Sequence, residues 1–327
     1  MRINSDTVKN ILVLRNDRFG EFLLNIPAMR ALKESFRGAA LTAAVDPSVK
    51  ELAERVSFID EIIEWGRGSR SIAEKIRLIS ALRKKKIDIA VMLNPDKDFN
   101  IITYLSGIPV RAGYDRKSAF LLTHKIEDRK HLGERHEVEY NLELVSLIGA
   151  RTEDKGILLT VNEKDSCGLL DAFSLKESDK IVALHPWTSD PVKEWPITSF
   201  RELSDRLSGL AGVRLVIVGK REGMDRGSGI FSAAGVNPLD LTGKTTLMQL
   251  AGVLKRCSLL ISADSGPVHL ACAVGTKVLA LFRNDMPGKN PGRWGPWGVG
   301  HTVIERDDLT HITVDEVFKR AKEALKI

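Results

Sequence analysis

Seven short runs of apolar residues recur along the chain, and segments with helical periodicity separate them. Runs of five to seven residues that are apolar throughout are typical of strands buried on both faces of a parallel sheet. Strands that alternate with helices predict the α/β class. The runs lie at 11–15, 40–45, 87–93, 181–186, 214–219, 259–264 and 277–282.

The chain is long enough for more than one domain. Its 327 residues are 43% hydrophobic, which suffices for two ordinary cores. A polar stretch at 161–180 contains the expected linker. We therefore expect an N-terminal unit at 1–170, a C-terminal unit at 171–310 and a final helix at 311–327.

Charge and composition limit where in the cell the protein is expected and which partners it can bind. No apolar run approaches the roughly 18 residues of a membrane span, and no secretory signal pattern is visible, so we expect a cytoplasmic protein. The cysteines, Cys167, Cys257 and Cys272, lack metal-ligand spacing and are expected as buried thiols. The net charge of +6 favours an anionic partner. Nucleic acid is not expected, because no nucleic-acid-binding motif is recognisable and only 6% of the residues are aromatic.

Three segments carry the signature of a helix start, a Ser or Thr followed three residues later by Glu or Gln ahead of an apolar stripe. The pairs are Ser199 with Glu202, Thr246 with Gln249, and Thr313 with Glu316. Another helical stripe, formed by Ile72, Ile76 and Ile79, precedes the basic run RKKK at 83–86. Cations suit a helix C-terminus, so this run predicts no binding site.

The stretch ISADSGPVHLACAVGT at 261–276 leaves an apolar strand through a polar turn and enters a helix of small residues. Pro267 suits the first turn of that helix, because the N–H that it lacks is not needed there. The free backbone N–H groups, the helix dipole and the Ser265 hydroxyl make this turn a candidate phosphate site. A plain capped helix start explains the same pattern.

Two further loops of the C-terminal half follow predicted strands. In HPWTSDPVKEWP, Thr188 and Ser189 offer hydroxyls, and Lys193 offers a compact charge suited to a phosphate oxygen. After the strand at 214–219, Glu222 is placed to accept hydrogen bonds from ribose hydroxyls. Ordinary surface positions for Lys193 and Glu222 are the alternative.

The loop after the first strand, in LRNDRFGEFLLNIPAMRAL, carries carboxylates. Gly20 lets the backbone approach a ligand, and Asp17 and Glu21 are candidates for general base chemistry, with Arg18 between them. The Gly-Lys-Ser/Thr ending of a Walker loop is missing. Pro27 marks either the start of the next helix or a kink in it.

Taken together and in this order, these loops resemble those of the family-9 glycosyltransferases, the ADP-heptose:lipopolysaccharide heptosyltransferases. The similarity runs through nearly the whole chain. It is carried by GEFLLNIPAMRAL, RAGYDRKSAFLLTHKI, RHEVEYNLELVSLIGA, VKEWP, DSGPVHLA and GRWGPWG.

The resemblance implies the GT-B architecture, in which two Rossmann-like doubly wound domains face an interdomain cleft. The final helix would pack back on the N-terminal, acceptor-binding domain, and the C-terminal domain would bind the nucleotide sugar. Glu222 would contact the ribose, while Asp264 and His269 would shape the turn that faces the sugar. The residues implied to bind the diphosphate are Thr188, Ser189, Lys193, Ser265 and Gly266.

The resemblance also implies the reaction, inverting transfer of a sugar, expected to be heptose from ADP-heptose, to a hydroxyl of a lipid-linked saccharide. The family usually places Asp after the loop glycine as the base, and here that position is Glu21, with Asp17 as a substitute and Arg18 and Gly20 in the acceptor loop. We expect no metal and no cofactor beyond the donor, with Lys193 supplying the positive charge. A transferase of another sugar, a nucleotide-sugar epimerase and a non-catalytic binder remain alternatives.

The acceptor is expected on the N-terminal half. Residues 111–136 hold seven Lys or Arg against four acids, together with His124, His131 and His136. Such a segment suits the phosphates of a lipid acceptor or an anionic membrane surface, and a solvated face is the alternative.

Overall fold

The computed structural model describes residues 3–68, 70–166, 168–171, 175, 178–220 and 238–327. The chain divides into two compact units, Met1–Ile157 and Leu158–Ile327. The first unit thus ends before the polar stretch in which the sequence analysis placed the linker. The reason is local pairing, because the Leu159 N–H donates to the Ala273 carbonyl (2.8 Å) and Lys255 Nζ donates to the Val161 carbonyl (2.8 Å).

The strands of the first unit are β1 (Asn10–Arg15), β2 (Ala40–Val45), β3 (Glu61–Glu64), β4 (Ile89–Met92), β5 (Val110–Tyr114) and β6 (His124–Ile126). They form one parallel sheet in the order β3-β2-β1-β4-β5-β6. The helices are α1 (Phe19–Leu23), α2 (Ile26–Ser35), α3 (Lys50–Ala53), α4 (Ile72–Lys85), α5 (Lys97–Leu105) and α6 (Glu137–Ser146). The strand order reverses direction between β1 and β4, as in a doubly wound Rossmann fold.

The second unit repeats this design with β7 (Lys180–His185), β8 (Val213–Ile217), β9 (Leu239–Asp240), β10 (Leu259–Ala263), β11 (Val278–Arg283) and β12 (Thr302–Arg306). They also form a parallel sheet, in the order β12-β11-β10-β7-β8-β9. Its described helices are α7 (Ile197–Ser208), α8 (Leu247–Arg256), α9 (Gly266–Ala273), α10 (Pro291–Trp294) and α11 (Val314–Leu325). The reversal lies between β7 and β10, and the doubly wound α/β class is confirmed for both units.

The central strands are buried along their whole length, which is why they read as uninterrupted apolar runs. Every residue of β10 is buried, as is every residue of β7 after Lys180. Beside this sheet the Trp195 and Phe200 rings meet edge to face, 4.9 Å between centroids, and Trp195 Nε1 donates to the Ile312 carbonyl (2.9 Å). The segment that follows Lys193 is therefore anchored in the core.

The three predicted helix starts have different outcomes. At Thr246 the capping box forms in full, because Gln249 N–H donates to Thr246 Oγ1 (3.2 Å) and Thr246 N–H donates to Gln249 Oε1 (2.9 Å). At Thr313 only the first half forms, and Glu316 pairs with Arg306 instead. The prediction at Ser199 is wrong, because α7 already begins at Ile197, directly after Pro196.

The predicted stripe of α4 is wrong at Ile72 and Ile76, whereas Ile79 packs partly buried against the core. Ile72 and Ile76 are 78% and 59% exposed, whereas the residues that α4 buries are Leu78 and Leu82. The buried pair lies four residues apart on one face, toward the C-terminal end of the helix.

The final helix, α11, packs on the second unit. We expected this helix to pack back on the N-terminal domain, but its apolar face packs on the second unit. Val317, Ala321 and Leu325 lie in the same hydrophobic cluster as Phe200 and Trp195. Its first turn is tied to α7 by an ion pair between Arg206 and Asp315 (2.7 Å). The stripe thus completes the core beneath the second sheet.

Candidate active site

The strand order of the second sheet defines where a ligand fits. Chain segments leave β7 and β10 in opposite directions, which opens a crevice beyond their carboxyl ends. The loop at 186–196 follows β7, and the turn at 264–265 connects β10 to the N-terminus of α9. The sheet therefore brings together two loops that the sequence analysis selected separately.

Lys193 and Asp264 meet at this crevice. Lys193 Nζ donates to Asp264 Oδ2, and both side chains are mostly buried, 19% and 12% exposed. Lys193 ends a short 3-10 turn, Pro191–Lys193, in which the Asp190 carboxylate accepts from the Val192 N–H (3.3 Å). A cation is thus held in place beside the turn that precedes α9.

The N-terminus of α9 offers donors to an anion. Ser265 is its N-cap but makes no side-chain capping bond, and Pro267 lies in the first turn, as predicted. The backbone N–H groups of a first helical turn point outward, where the helix dipole favours negative charge. Gly266 begins the helix without a side chain that would cover them.

Behind this turn lies a polar cluster that sequence reasoning missed. His185 Nδ1 lies 3.0 Å from Ser262 Oγ and 3.2 Å from Ser265 Oγ, and the two serine hydroxyls are 2.8 Å apart. Burial lowers the pKa of His185 to about 4, with a further contribution from the charge of Lys220. A neutral imidazole therefore orients the Ser265 hydroxyl, and the only sequence signal was a histidine at the end of the run IVALH.

The other residues predicted to bind the nucleotide sugar are Thr188, Ser189, His269 and Glu222. Thr188 Oγ1 donates to the Asp190 carbonyl (2.6 Å), so its hydroxyl proton is used inside its own loop, next to Ser189. His269 is buried in α9, with its ring 6.4 Å from that of Trp294. Glu222 lies outside the described residues.

In the first unit, the residue stretch that was predicted as a loop is partly helical. Gly20 and Glu21 belong to the first turn of α1, with Arg18 as its N-cap, and α2 begins at Ile26 with Pro27 in its first turn. Asp17 Oδ1 accepts from Arg15 Nε (2.7 Å), so this carboxylate is held in an ion pair.

Glu21 differs from Asp17. Its carboxylate accepts a hydrogen bond from its own backbone N–H. Burial raises the pKa of Glu21 above its usual value, the Asp17 charge raises it further, and Arg15 and Arg18 oppose the shift. A carboxylate with a raised pKa is a stronger base toward a hydroxyl proton near neutral pH.

Two buried charged residues on the same side of the first sheet also escaped the sequence analysis. Glu137, in the first turn of α6, is fully buried and pairs with Arg15 (3.2 Å) and Lys130 (2.6 Å). Glu137 lies within the motif RHEVEYNLELVSLIGA and Lys130 within the basic segment 111–136, but nothing in either stretch distinguished them from surface charges. No cluster of three metal-ligating side chains occurs in the part of the chain that the structure describes.

Two Rossmann-type units in one chain, with a lysine and a helix N-terminus at the switch point of the second, are typical of nucleotide-sugar enzymes of the GT-B architecture. Residues 75–320 match the family model described as glycosyltransferase family 9 (heptosyltransferase), and the chain belongs to that family. The resemblance seen in the sequence motifs is thereby confirmed, and the epimerase and non-catalytic alternatives are not favoured.

Individual relatives and solved structures are consistent with this family. The chain is 24% identical to lipopolysaccharide heptosyltransferase 2 of Escherichia coli K12 over 302 residues, which cover 86% of this chain and 84% of the relative. It is similar in fold to a family-9 glycosyl transferase of Veillonella parvula, with a TM-score of 0.87, 22% identity and 99% of each chain covered. It is also similar to E. coli heptosyltransferase WaaC solved with ADP, with a TM-score of 0.74, 18% identity and 96% and 99% covered.

Proposed function

We propose that this enzyme transfers heptose from ADP-heptose to a hydroxyl of a lipopolysaccharide-core acceptor, with inversion at the anomeric carbon. The names of its relatives support the sugar and the acceptor, and the ADP in the WaaC structure supports the nucleotide. The observation that carries the proposal is the fixed cation of Lys193 beside the N-terminus of α9, because the two together suit a diphosphate.

On the donor side, Lys193 Nζ, the first-turn N–H groups of α9 and the oriented Ser265 hydroxyl bind the diphosphate. Asp264 holds Lys193 in position before the donor arrives. As the bond between the anomeric carbon and the diphosphate oxygen breaks, these groups stabilise the negative charge that develops on the leaving group. Thr188 and Ser189 lie in the loop beside the diphosphate. His269 belongs to the turn that faces the sugar, and Glu222 contacts the ribose.

On the acceptor side, Glu21 removes the proton of the attacking hydroxyl. The oxygen of that hydroxyl bonds to the anomeric carbon on the face of the sugar opposite the leaving diphosphate. Glu21 is favoured over Asp17 because the Asp17 carboxylate is paired with Arg15 and the pKa of Glu21 is raised. Arg18 and Gly20 line the same segment. The extra methylene of Glu, relative to the Asp usual in the family, changes the reach of the base.

The test combines turnover with binding. Purified Glu21→Gln should lose turnover of ADP-heptose by about 100-fold or more, the range of a general base, while calorimetry shows unchanged ADP affinity. Asp17→Asn should lose clearly less than Glu21→Gln, about 10-fold, because Asp17 sets the charge beside the base and does not take the proton. Glu34→Gln, an exposed acid on α2, should match the wild type. A Glu21→Gln enzyme with an undiminished rate would overturn the assignment of the base.

Donor choice and metal dependence are tested separately. ADP should raise the melting temperature more than UDP or GDP does, because a ligand that binds only the folded state stabilises it. We propose further that Lys193 and α9 neutralise the diphosphate without a metal and that no cofactor takes part. Activity that EDTA abolishes and a divalent ion restores would contradict this.

We also propose that the enzyme works on the cytoplasmic side of the membrane and meets its acceptor at an anionic lipid surface. The basic segment 111–136 supports this, through seven cationic residues against four acids. No helix among the described residues combines the length and the apolarity that a bilayer crossing requires.

A further inference from the structure

Three charged side chains are buried together below the carboxyl ends of β1 and β4. Arg15, Lys130 and Glu137 are 4%, 6% and 0% exposed. Burying ionised groups is costly even when they are paired, and a hydrophobic substitute of similar volume often stabilises a fold equally well. A buried charge cluster beside a candidate base is therefore a candidate for a functional role.

Glu137 clamps two cations at once. Its Oε1 accepts from Arg15 Nη1 (3.2 Å) and from Lys130 Nζ (2.6 Å), and the same two nitrogens also reach the Leu93 carbonyl, at 3.0 and 3.4 Å. Lys130 Nζ also donates to Asn141 Oδ1 (3.2 Å) and lies 4.3 Å from the centre of the Tyr114 ring. The cluster thus joins β1, β5, α6 and the end of β4.

The opposite side of the Arg15 guanidinium holds Asp17. Nη1 faces Glu137 and Leu93 while Nε donates to Asp17 Oδ1 at 2.7 Å, so acceptors on two sides fix the planar group. Asp17 is consequently anchored through Arg15 to the buried Glu137. The charged groups that act on Glu21 within the described residues are Asp17, Arg15 and Arg18, and Glu137 is not among them.

We propose that Glu137 is a positioning residue, which, together with Lys130, fixes Arg15 and so holds the Asp17 charge beside the base Glu21. Glu137 touches no substrate in this scheme and acts only through Arg15. The inference rests on the proposed role of Glu21. It goes beyond that role because it attributes the electrostatic field at the Glu21 carboxylate to a buried charge cluster in α6 and in the turn before α6.

A double-mutant design separates positioning from folding. Glu137→Gln alone removes the carboxylate that the buried Arg15 and Lys130 share, and it is expected to destabilise the protein. Lys130→Met removes one of the two cations, so the double variant Glu137→Gln/Lys130→Met is expected to regain most of the lost stability. Its kcat should nevertheless stay about 10-fold below wild type, with the KM for ADP-heptose unchanged, because Glu21 without the neighbouring Asp17 charge is a weaker and less well placed base.

The pH profile supplies a readout that a purely structural role would not move. The base must be deprotonated, so kcat falls as the pH drops through the pKa of Glu21. Release of Asp17 removes a neighbouring negative charge that raises this pKa. The acidic limb of the double variant should therefore shift to lower pH, and Asp17→Asn should shift it in the same direction.

Glu143→Gln is the matched control, because Glu143 lies on the same helix and pairs with Arg135 on the surface (3.1 Å, 41% exposed). It should leave kcat and the acidic limb unchanged. A double variant that recovers both stability and wild-type kcat, or one whose acidic limb coincides with that of the wild type, would overturn the positioning role. If instead Glu21→Gln is active, the assignment of the base fails, which is a distinguishable outcome.

Discussion

Lys193 is the residue on which the proposed donor binding most depends, because its Nζ is the cation held at the β7 and β10 crevice. Lys193→Met keeps the length of the side chain and removes the charge. We expect kcat/KM for the donor to fall by about 100-fold, as when a single transition-state donor is removed.

Lys289→Met is the control for Lys193→Met. Lys289 lies 3.6 Å from Asp190 in the neighbouring loop, but it is half exposed, so its ion pair contributes little. Steady-state kinetics of the two variants should differ by at least ~10-fold. Equal losses would mean that general positive charge, and not the position of Lys193, binds the donor.

His185 couples the stability of the second unit to pH. Its pKa is about 4 in the folded protein, and an unfolded histidine titrates near 6.5. Between these values the unfolded chain binds a proton that the folded chain does not, so the free energy of unfolding falls as the pH decreases from 6.5 toward 4. Above pH 6.5 this contribution to stability is fully present.

His185→Asn removes the titrating group and keeps a polar atom near the position of Nδ1. The stability advantage of wild type over the variant should shrink by roughly 2 kcal/mol between pH 7 and pH 4.5, as the linkage relation requires for such a shift. Urea unfolding at the two pH values measures it. Stability curves that stay parallel would show that His185 does not titrate below its unfolded value.

The capping boxes give a paired test at the level of helices. Thr246→Ala removes the acceptor of the Gln249 N–H at the start of α8, and we expect a loss of about 1 kcal/mol in the free energy of unfolding. Ser199→Ala should change it by less than ~0.5 kcal/mol, because Ser199 lies inside α7 and caps nothing. A cost at Ser199 equal to that at Thr246 would contradict the observed start of α7.

The strands that the sequence predicted are those covered on both faces. β10, for example, reads as an apolar run because all of its residues are buried. β3, β5, β6 and β12 were missed because each exposes part of its length, and β9 because it has only two residues. Periodicity also misled at α4, where Ile72 and Ile76 are correctly spaced for a buried face but point away from it.

Burial also explains which residues of the candidate site could be predicted from the sequence. Lys193, Asp264 and Ser265 were predictable because strand ends in a parallel sheet meet at one edge, so their loops had to converge. His185, Ser262, Glu137 and Lys130 were not, because whether a polar side chain is buried depends on elements distant in sequence. Glu137 and Arg15, which share a hydrogen bond, are separated by 122 positions.

Across the whole molecule, the proposed contact with an anionic surface has more than charge to support it. The net charge is +6, and three large apolar side chains of the first unit are unusually exposed, Ile72 at 78%, Ile76 at 59% and Phe120 at 81%. α4 packs on α5, and α5 packs on the turn that carries Phe120. Exposed apolar side chains among cations suit an anionic lipid interface.

We therefore expect the protein to cosediment with vesicles that contain anionic lipid and not with purely zwitterionic vesicles. Binding should weaken as salt is raised from 0.1 to 0.5 M, because screening shortens the reach of the charges. Ile76→Ser/Phe120→Ser should lower vesicle binding about 10-fold or more, since each buried apolar side chain contributes on the order of 1 kcal/mol or more. Val299→Ser, which alters a 95% exposed valine of the second unit, should not. Equal loss in both variants, or binding indifferent to lipid charge, would show that the first unit carries no lipid contact and that the basic segment is simply solvated.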